Sequence, residues 1–253
     1  PSPTKPPTAL AVAVDSVASV TDRVLHQTHQ PSTTGTWTAK QLESVLQRRF
    51  GAERYAQQMR FADPTPRYKV VVVGDPAAGK SCLIRRYCER RFTASYISTI
   101  GIDYGLRVVD LAPGRQIKIN FWDMAGDRAY ALIRSEFYGD DTHGIMLAFD
   151  VSVRASFAGL DAWLKELRHH ARARWDALHV VLVGTKTDLP SRAVAPEEAQ
   201  AWAAKHGLTY IECSAQSGHN VDDAFNGLVS RIDAAATAGT ASRSTGAAAA
   251  TVE

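Results

Sequence analysis

Residues 67–233 of this 253-residue chain predict an α/β fold, a mainly parallel sheet covered by helices on both faces. Three observations carry the prediction. Short Val- and Ile-rich stretches alternate with segments of helical periodicity. Those stretches read as near-continuous apolar runs, as strands buried on both faces do. One tight turn joins two of them, and the remaining connections read as βα units.

Six strand candidates follow in order: 68–73, 106–111, 116–122, 144–150, 179–184 and 209–212. Ala112-Pro113-Gly114-Arg115 is the hairpin turn between the second and third. Helical candidates are 79–91, 154–173, 196–206 and 221–233. In the long third helix, Phe157, Leu160, Trp163, Leu164 and Leu167 share one face and read as packing on the sheet. Sheets of this kind bind ligands at the carboxyl ends of their strands.

The flanks read differently. In residues 1–36, 16 of 36 are Pro, Ser or Thr with nothing aromatic, which is too little to offset the entropy of ordering, so disorder is expected. A mitochondrial transit peptide is the weaker reading there, because Asp15 and Asp22 interrupt it and Arg23 is its only arginine. Within 37–66, Thr38 caps a predicted helix to about Met59, with Leu42, Val45, Leu46, Phe50, Tyr55 and Met59 on one side, and Asp63-Pro64-Thr65-Pro66 ends it. That helix fits a regulatory cap or a partner-binding stripe equally well. Residues 234–253 are rich in Ala, Gly, Ser and Thr and are expected to be a disordered tail.

Composition excludes several classes. Apolar runs such as 70–73 fall far short of the ~18 residues of a membrane helix. Cys82, Cys88 and Cys213 make neither a disulfide framework nor a metal cluster, so a reducing, cytoplasmic or nuclear setting is the expectation. A net charge of +3 gives no argument for nucleic acid.

After the first strand comes Gly74-Asp75-Pro76-Ala77-Ala78-Gly79-Lys80-Ser81, a match to G-x-x-x-x-G-K-[ST]. Gly74 and Gly79 let the loop turn its backbone N–H groups toward phosphate oxygens, and the following helix adds its positive dipole end. Lys80 supplies a point charge for β- and γ-phosphates, and the Ser81 hydroxyl suits Mg²⁺. The pattern implies a nucleoside triphosphate. Thr185-Lys186-Thr187-Asp188 and Cys213-Ser214-Ala215-Gln216, each after a buried strand, address the base. The Asp188 carboxylate can accept from guanine's ring N–H and amino group, whereas adenine would leave it unpaired. The Lys186 stem and Phe92 are candidates for the two faces of the base. Thr99 offers a second Mg²⁺ hydroxyl, Asp123 a carboxylate that holds the metal through water, and Gly126 an N–H for the γ-phosphate. Cys82 and Tyr96 complete the candidate nucleotide-binding set.

With these residues in place, 67–233 resembles a Ras-superfamily small GTPase, nearest the Rab branch. Thr99-Ile100-Gly101-Ile102-Asp103-Tyr104 is similar to the Rab switch I signature. The run from Lys80 to Phe92, the Ile-Gly-Ile-Asp-Tyr-Gly run at 100–105 and Asp123-Met124-Ala125-Gly126 resemble the Rab-like J-domain family. The resemblance implies a six-stranded G domain binding GTP and GDP with Mg²⁺, with Lys80, Thr99, Gly126 and Asp127 at the catalytic positions and effectors and regulators meeting 101–104 and 127–138. It also implies a monomer.

The departures carry expectations of their own. Asp127 stands where active relatives carry a water-orienting Gln, as the Rab-like J-domain family also lacks it. A carboxylate only accepts, and its charge sits beside an anionic phosphoryl group, so slow hydrolysis is expected. If Asp127 simply faces solvent, the rate is slow for a plainer reason. Pro76 has no N–H. Thr185 stands for the commoner Asn, and Gln216 for Lys, which removes one support of the base while the Ala215 N–H stays available. The sequence has no His-Pro-Asp tripeptide, so chaperone recruitment is not expected to carry over, and no cysteine near its end for a prenyl anchor. Arg85, Arg86, Arg90 and Arg91 read as a solvated helix face, and His169-His170 as surface histidines. A GTP-binding scaffold that does not hydrolyse is the alternative, and an ATP-using enzyme a third reading that leaves Asp188 and Ser214-Ala215 without a purpose.

Overall fold

The computed structural model describes residues 65–249. The disorder expected for 1–36 and the helix expected within 37–66 lie outside the described residues. Its elements run β1 (Arg67–Val73), α1 (Lys80–Glu89), β2 (Ile102–Ala112), β3 (Arg115–Met124), α2 (Ala131–Ser135), β4 (Gly144–Asp150), α3 (Arg154–Ala158), α4 (Leu160–Ala171), β5 (His179–Thr185), α5 (Pro196–Lys205), β6 (Thr209–Glu212) and α6 (Val221–Ala249).

The six strands form one sheet in the order β2-β3-β1-β4-β5-β6. All neighbours pair in parallel except β2 and β3, whose antiparallel ladder closes at Ala112↔Arg115 around Pro113-Gly114, with Gly114 at φ 77°. Because β1 lies between β3 and β4, the chain leaves it in opposite directions on its two sides. This is the crevice where sheets of this kind place ligands.

Alternation along the buried strands divides the core in two. On one face Val70, Val72, Ile119, Phe121, Met146 and Val181 pack with Leu83 and Tyr87 of α1 and Phe225, Leu228 and Ile232 of α6. Tyr87 stacks on Phe225 at 4.4 Å between ring centroids, and Phe121 meets both rings edge-on. The buried Leu160, Trp163, Leu164 and Leu167 of α4 follow the predicted stripe.

Three boundaries differ from expectation. The helix expected over 154–173 is two, because the chain closes α3 at Gly159 and begins α4 at Leu160. β2 begins at Ile102 rather than 106, since its antiparallel pairing with β3 extends to Ile102↔Met124. Of the tail expected to be disordered over 234–253, the part to Ala249 continues α6, as Ala has the highest helix propensity and no Pro stands between 221 and 249, while 250–253 lie outside the described residues. Among the described residues no helix is long and apolar enough to cross a membrane.

Candidate nucleotide site

The loop between β1 and α1 folds as its glycines require. Gly74 has φ 138°, and a Cβ there would lie 2.0 Å from the Ala148 carbonyl oxygen of β4, so no side chain fits. Gly79 (φ 84°) precedes α1 in left-handed backbone, and so does Ala77 (φ 61°), where the same conformation costs a non-glycine residue about 1–2 kcal/mol. Lys80 turns back over the loop and donates to the Gly74 and Asp75 carbonyls, each at 2.8 Å. Burial lowers its pKa to about 8. A buried ammonium held by neutral carbonyls favours an anion that restores its solvation.

The three predicted metal residues meet. The Ser81 hydroxyl donates to Asp123 Oδ2 at 2.5 Å and lies 3.0 Å from the Thr99 hydroxyl, itself 3.4 Å from the same carboxylate oxygen. Asp123 is almost fully buried, and burial pushes its pKa up to about 6. Its other oxygen, Oδ1, has no hydrogen-bond partner among the described residues. One carboxylate with an orphaned oxygen and two hydroxyls suit a hard divalent cation that keeps several waters and takes phosphate oxygens, as Mg²⁺ does. Among the described residues no group of three or more His, Cys, Asp or Glu offers another metal site, and His169 and His170 are exposed.

Gly126 lies directly on the loop. A Cβ there would stand 2.4 Å from the Pro76 nitrogen and 2.5 Å from the Gly74 oxygen, so only glycine permits this approach. Asp127 is exposed, and its carboxylate accepts from the Ala129 N–H at 2.8 Å, capping a short 3₁₀ turn over Arg128–Tyr130.

At the end expected to meet the base, Asp188 is exposed and Oδ1 accepts from the Ser214 hydroxyl at 2.5 Å, which leaves its other oxygen for a ligand. Lys186 (φ 61°) is tied to Asp150 at 2.7 Å, fixing the stem expected to cover the base. Thr185 is buried, with its hydroxyl 2.8 Å from the Ala78 carbonyl and 3.0 Å from the Phe149 carbonyl. It thus ties the phosphate loop to β4. Arg86 is not a solvated cation. Its Nε donates to the Ala215 carbonyl at 2.8 Å and its Nη2 to the Gln216 carbonyl. Arg90 pairs with Asp222 at 2.6 Å and Arg91 with Glu89 at 2.7 Å, while Arg85 lies 4.0 Å from Asp103. Arg90 and Arg91 stay exposed, as a solvated face implies, and Arg86 is the one that departs from it. The bracing by Arg86 was missed because its partners are 129 and 130 residues away.

These elements enclose a cavity of about 510 Å³. It is lined by Pro76, Ala77, Gly79, Lys80, Ser81, Cys82, Phe92, Tyr96, Thr99, Gly126, Asp127, Thr185, Lys186, Asp188, Ala215 and Gln216. Gly74, Asp75, Ala78, Asp123 and Ser214 stand behind its wall, holding the lining residues. Phe92 and Tyr96 are exposed at the rim. Burial raises the Cys82 thiol above its ordinary range, which argues against a reactive thiolate.

Residues 69–234 match the family model described as Ras family. The chain is 41% identical over 179 residues to DnaJ homolog subfamily C member 27 of Danio rerio, covering 70% of this chain and 65% of that protein. The Gallus gallus protein of the same name is 39% identical over 183 residues, covering 71% and 66%, and the Homo sapiens protein 41% over 162 residues, covering 63% and 59%. The chain thus spans about three fifths to two thirds of the length of these curated relatives.

Proposed function

The chain belongs to the Ras family of small GTPases, and from that premise we propose that it is a Rab-like guanine-nucleotide switch with slow hydrolysis. The observation that carries this reading is the convergence on one cavity of Lys80, Ser81, Thr99 and Gly126 at one end and Asp188, Lys186 and Ala215 at the other. The first group suits a Mg²⁺-bound triphosphate tail, the second a guanine.

Each residue has a physical task. Lys80 exchanges the Gly74 and Asp75 carbonyls for phosphate oxygens. The free oxygen of Asp188 accepts from the purine edge, while the Ala215 N–H donates to the guanine oxygen. Ser81, Thr99 and Asp123 hold the cation, which when bound neutralises charge on the β- and γ-phosphate oxygens. Gly126 lies against the loop, and its N–H donates to a γ-phosphate, so removing that phosphate releases the segments carrying Thr99 and Gly126. Residues 101–104 and 127–138 thereby become the surfaces that effectors and regulators read, in signalling or intracellular trafficking.

Hydrolysis is the weak step. A carboxylate cannot donate to the phosphoryl oxygens, and Oδ1 of Asp127 already accepts from the Ala129 N–H. Loss of one such polar contact commonly lowers a rate by about 10²- to 10³-fold. This same observation favours the second reading, a GTP-binding interaction module that does not hydrolyse. The free thiols of Cys82, Cys88 and Cys213 support a cytoplasmic setting.

The test is equilibrium binding with Mg²⁺ and GDP, GTP and ATP, followed by single-turnover hydrolysis. We expect guanine nucleotides to bind and ATP not to compete, with Asp188→Asn moving preference toward xanthine nucleotides. ATP competing at equal strength would refute the guanine assignment, and no phosphate release over many hours would select the module.

A further inference from the structure

The segment carrying Gly126 is held by a buried cation that the nucleotide reading leaves without a role. Arg134, on α2, is 2% exposed at its side chain. Its Nη1 donates to the Ala125 carbonyl at 3.0 Å, in the peptide group that carries the Gly126 N–H, and to the Asp127 carbonyl at 2.6 Å, one residue beyond. Its Nε and Nη2 reach the two oxygens of Glu166 on α4, both at 3.1 Å. Glu166 also accepts from the Tyr138 hydroxyl at 2.8 Å. The guanidinium lies 4.6 Å from the centre of the Trp163 ring, and the Trp163 Nε1–H donates to Asp75 Oδ1 of the phosphate loop at 2.7 Å. Trp163 and Glu166 are three residues apart on α4, so a single helix face grips the phosphate loop through one residue and the Gly126 segment through the other.

A planar fork with five N–H donors can serve a carboxylate and two carbonyls at once, which no other side chain does. The Ala125 carbonyl and the Gly126 N–H belong to one planar peptide group, so fixing that carbonyl fixes the direction of the N–H, while the bond to the Asp127 carbonyl anchors the chain one peptide further on.

We infer that Arg134, held by Glu166, is a positioning residue that fixes the Gly126 N–H toward the γ-phosphate and so sets how strongly the protein prefers the triphosphate state to the diphosphate. The inference rests on the nucleotide reading above. It goes beyond it by assigning the preference to a pair that touches no nucleotide. With no glutamine at position 127, this rigid arrangement supplies the γ-phosphate sensing that remains on the segment.

The experiment compares Kd for GDP and for a non-hydrolysable GTP analogue, with Mg²⁺, on the full chain. Wild type, Arg134→Gln, Arg134→Lys and Glu166→Gln are measured, with thermal unfolding in saturating GDP as the control for folding. Arg134→Gln is expected to weaken the analogue about tenfold, the scale of one charge-assisted hydrogen bond, and to leave GDP within about twofold. Lys is not expected to rescue it, because a point charge cannot serve both carbonyls and Glu166. Glu166→Gln keeps the guanidinium and is expected to weaken the analogue about threefold by the same logic. It decides the matter if Arg134→Gln does not fold. Equal weakening of both nucleotides, or an unchanged ratio in Glu166→Gln, would mean a structural role only and overturn the inference while the switch stands. Wild-type protein that binds neither nucleotide would overturn the proposed function and this inference with it.

Discussion

Replacing Thr185 by Val isolates one bond in the wall of the site. The two side chains have nearly the same shape, but Val loses the hydroxyl shared between the Ala78 carbonyl at 2.8 Å and the Phe149 carbonyl at 3.0 Å. One proton serves two acceptors, so the loss is that of about one buried hydrogen bond plus part of a carbonyl's desolvation, about 1–2 kcal/mol. For a domain of this size 1 kcal/mol moves Tm by about 2–4 °C, so a fall of about 2–8 °C is expected by calorimetry without nucleotide. Ala78 belongs to the phosphate loop, and a loop cut loose from β4 must be ordered by the ligand itself. GDP affinity is therefore expected to fall by up to about tenfold in a fluorescent-nucleotide titration. Thr185→Ser is the control, since it gives up a methyl group but keeps the tie and is expected to bind GDP as wild type does. A Thr185→Val protein whose Tm moves by less than about 1 °C and whose GDP affinity is unchanged would refute the reasoning.

Other perturbations follow from the same geometry. Ala77→Gly relieves left-handed strain at φ 61° but gains freedom when unfolded, for a net stabilisation of about 0.5–1 kcal/mol by denaturant titration. Arg86→Ala removes the braces on the Ala215 and Gln216 carbonyls and is expected to speed GDP release about tenfold, measured by displacement of a fluorescent analogue. Asp233 receives the Tyr68 hydroxyl at 2.7 Å and both arms of Arg115, whose hydrogen bonds outweigh burial and hold its carboxyl below the usual 3.8. A lowered carboxylate pKa stabilises the fold above about pH 4, and that contribution disappears as pH falls through the folded value. Asp233→Asn is therefore expected to lower Tm by a few degrees at pH 7, with the gap from wild type closing below pH 4 in a series of thermal melts. A gap that stays constant down to pH 2 would contradict this.

The sequence by itself determined what depends on neighbours along the chain. Val-rich strands, the Pro113-Gly114 turn and the spacing of Gly74, Gly79, Lys80 and Ser81 specify local backbone, so the sheet and the phosphate loop were legible directly. Short breaks were less so: the end of α3 at Gly159 and the five-residue α2 fall below what periodicity resolves. What only the tertiary structure decided are pairings between distant segments. Asp123, Ser81 and Thr99 each carry suitable oxygens, but their meeting is a product of how β3, α1 and the loop before β2 pack. The same holds for Arg86 on the Ala215 loop, for Thr185 on Ala78 and for Arg134 between Gly126 and Glu166. A charged side chain carries no mark in the sequence of whether water or a buried carbonyl will satisfy it. That choice is made when packing excludes water and leaves one partner within reach.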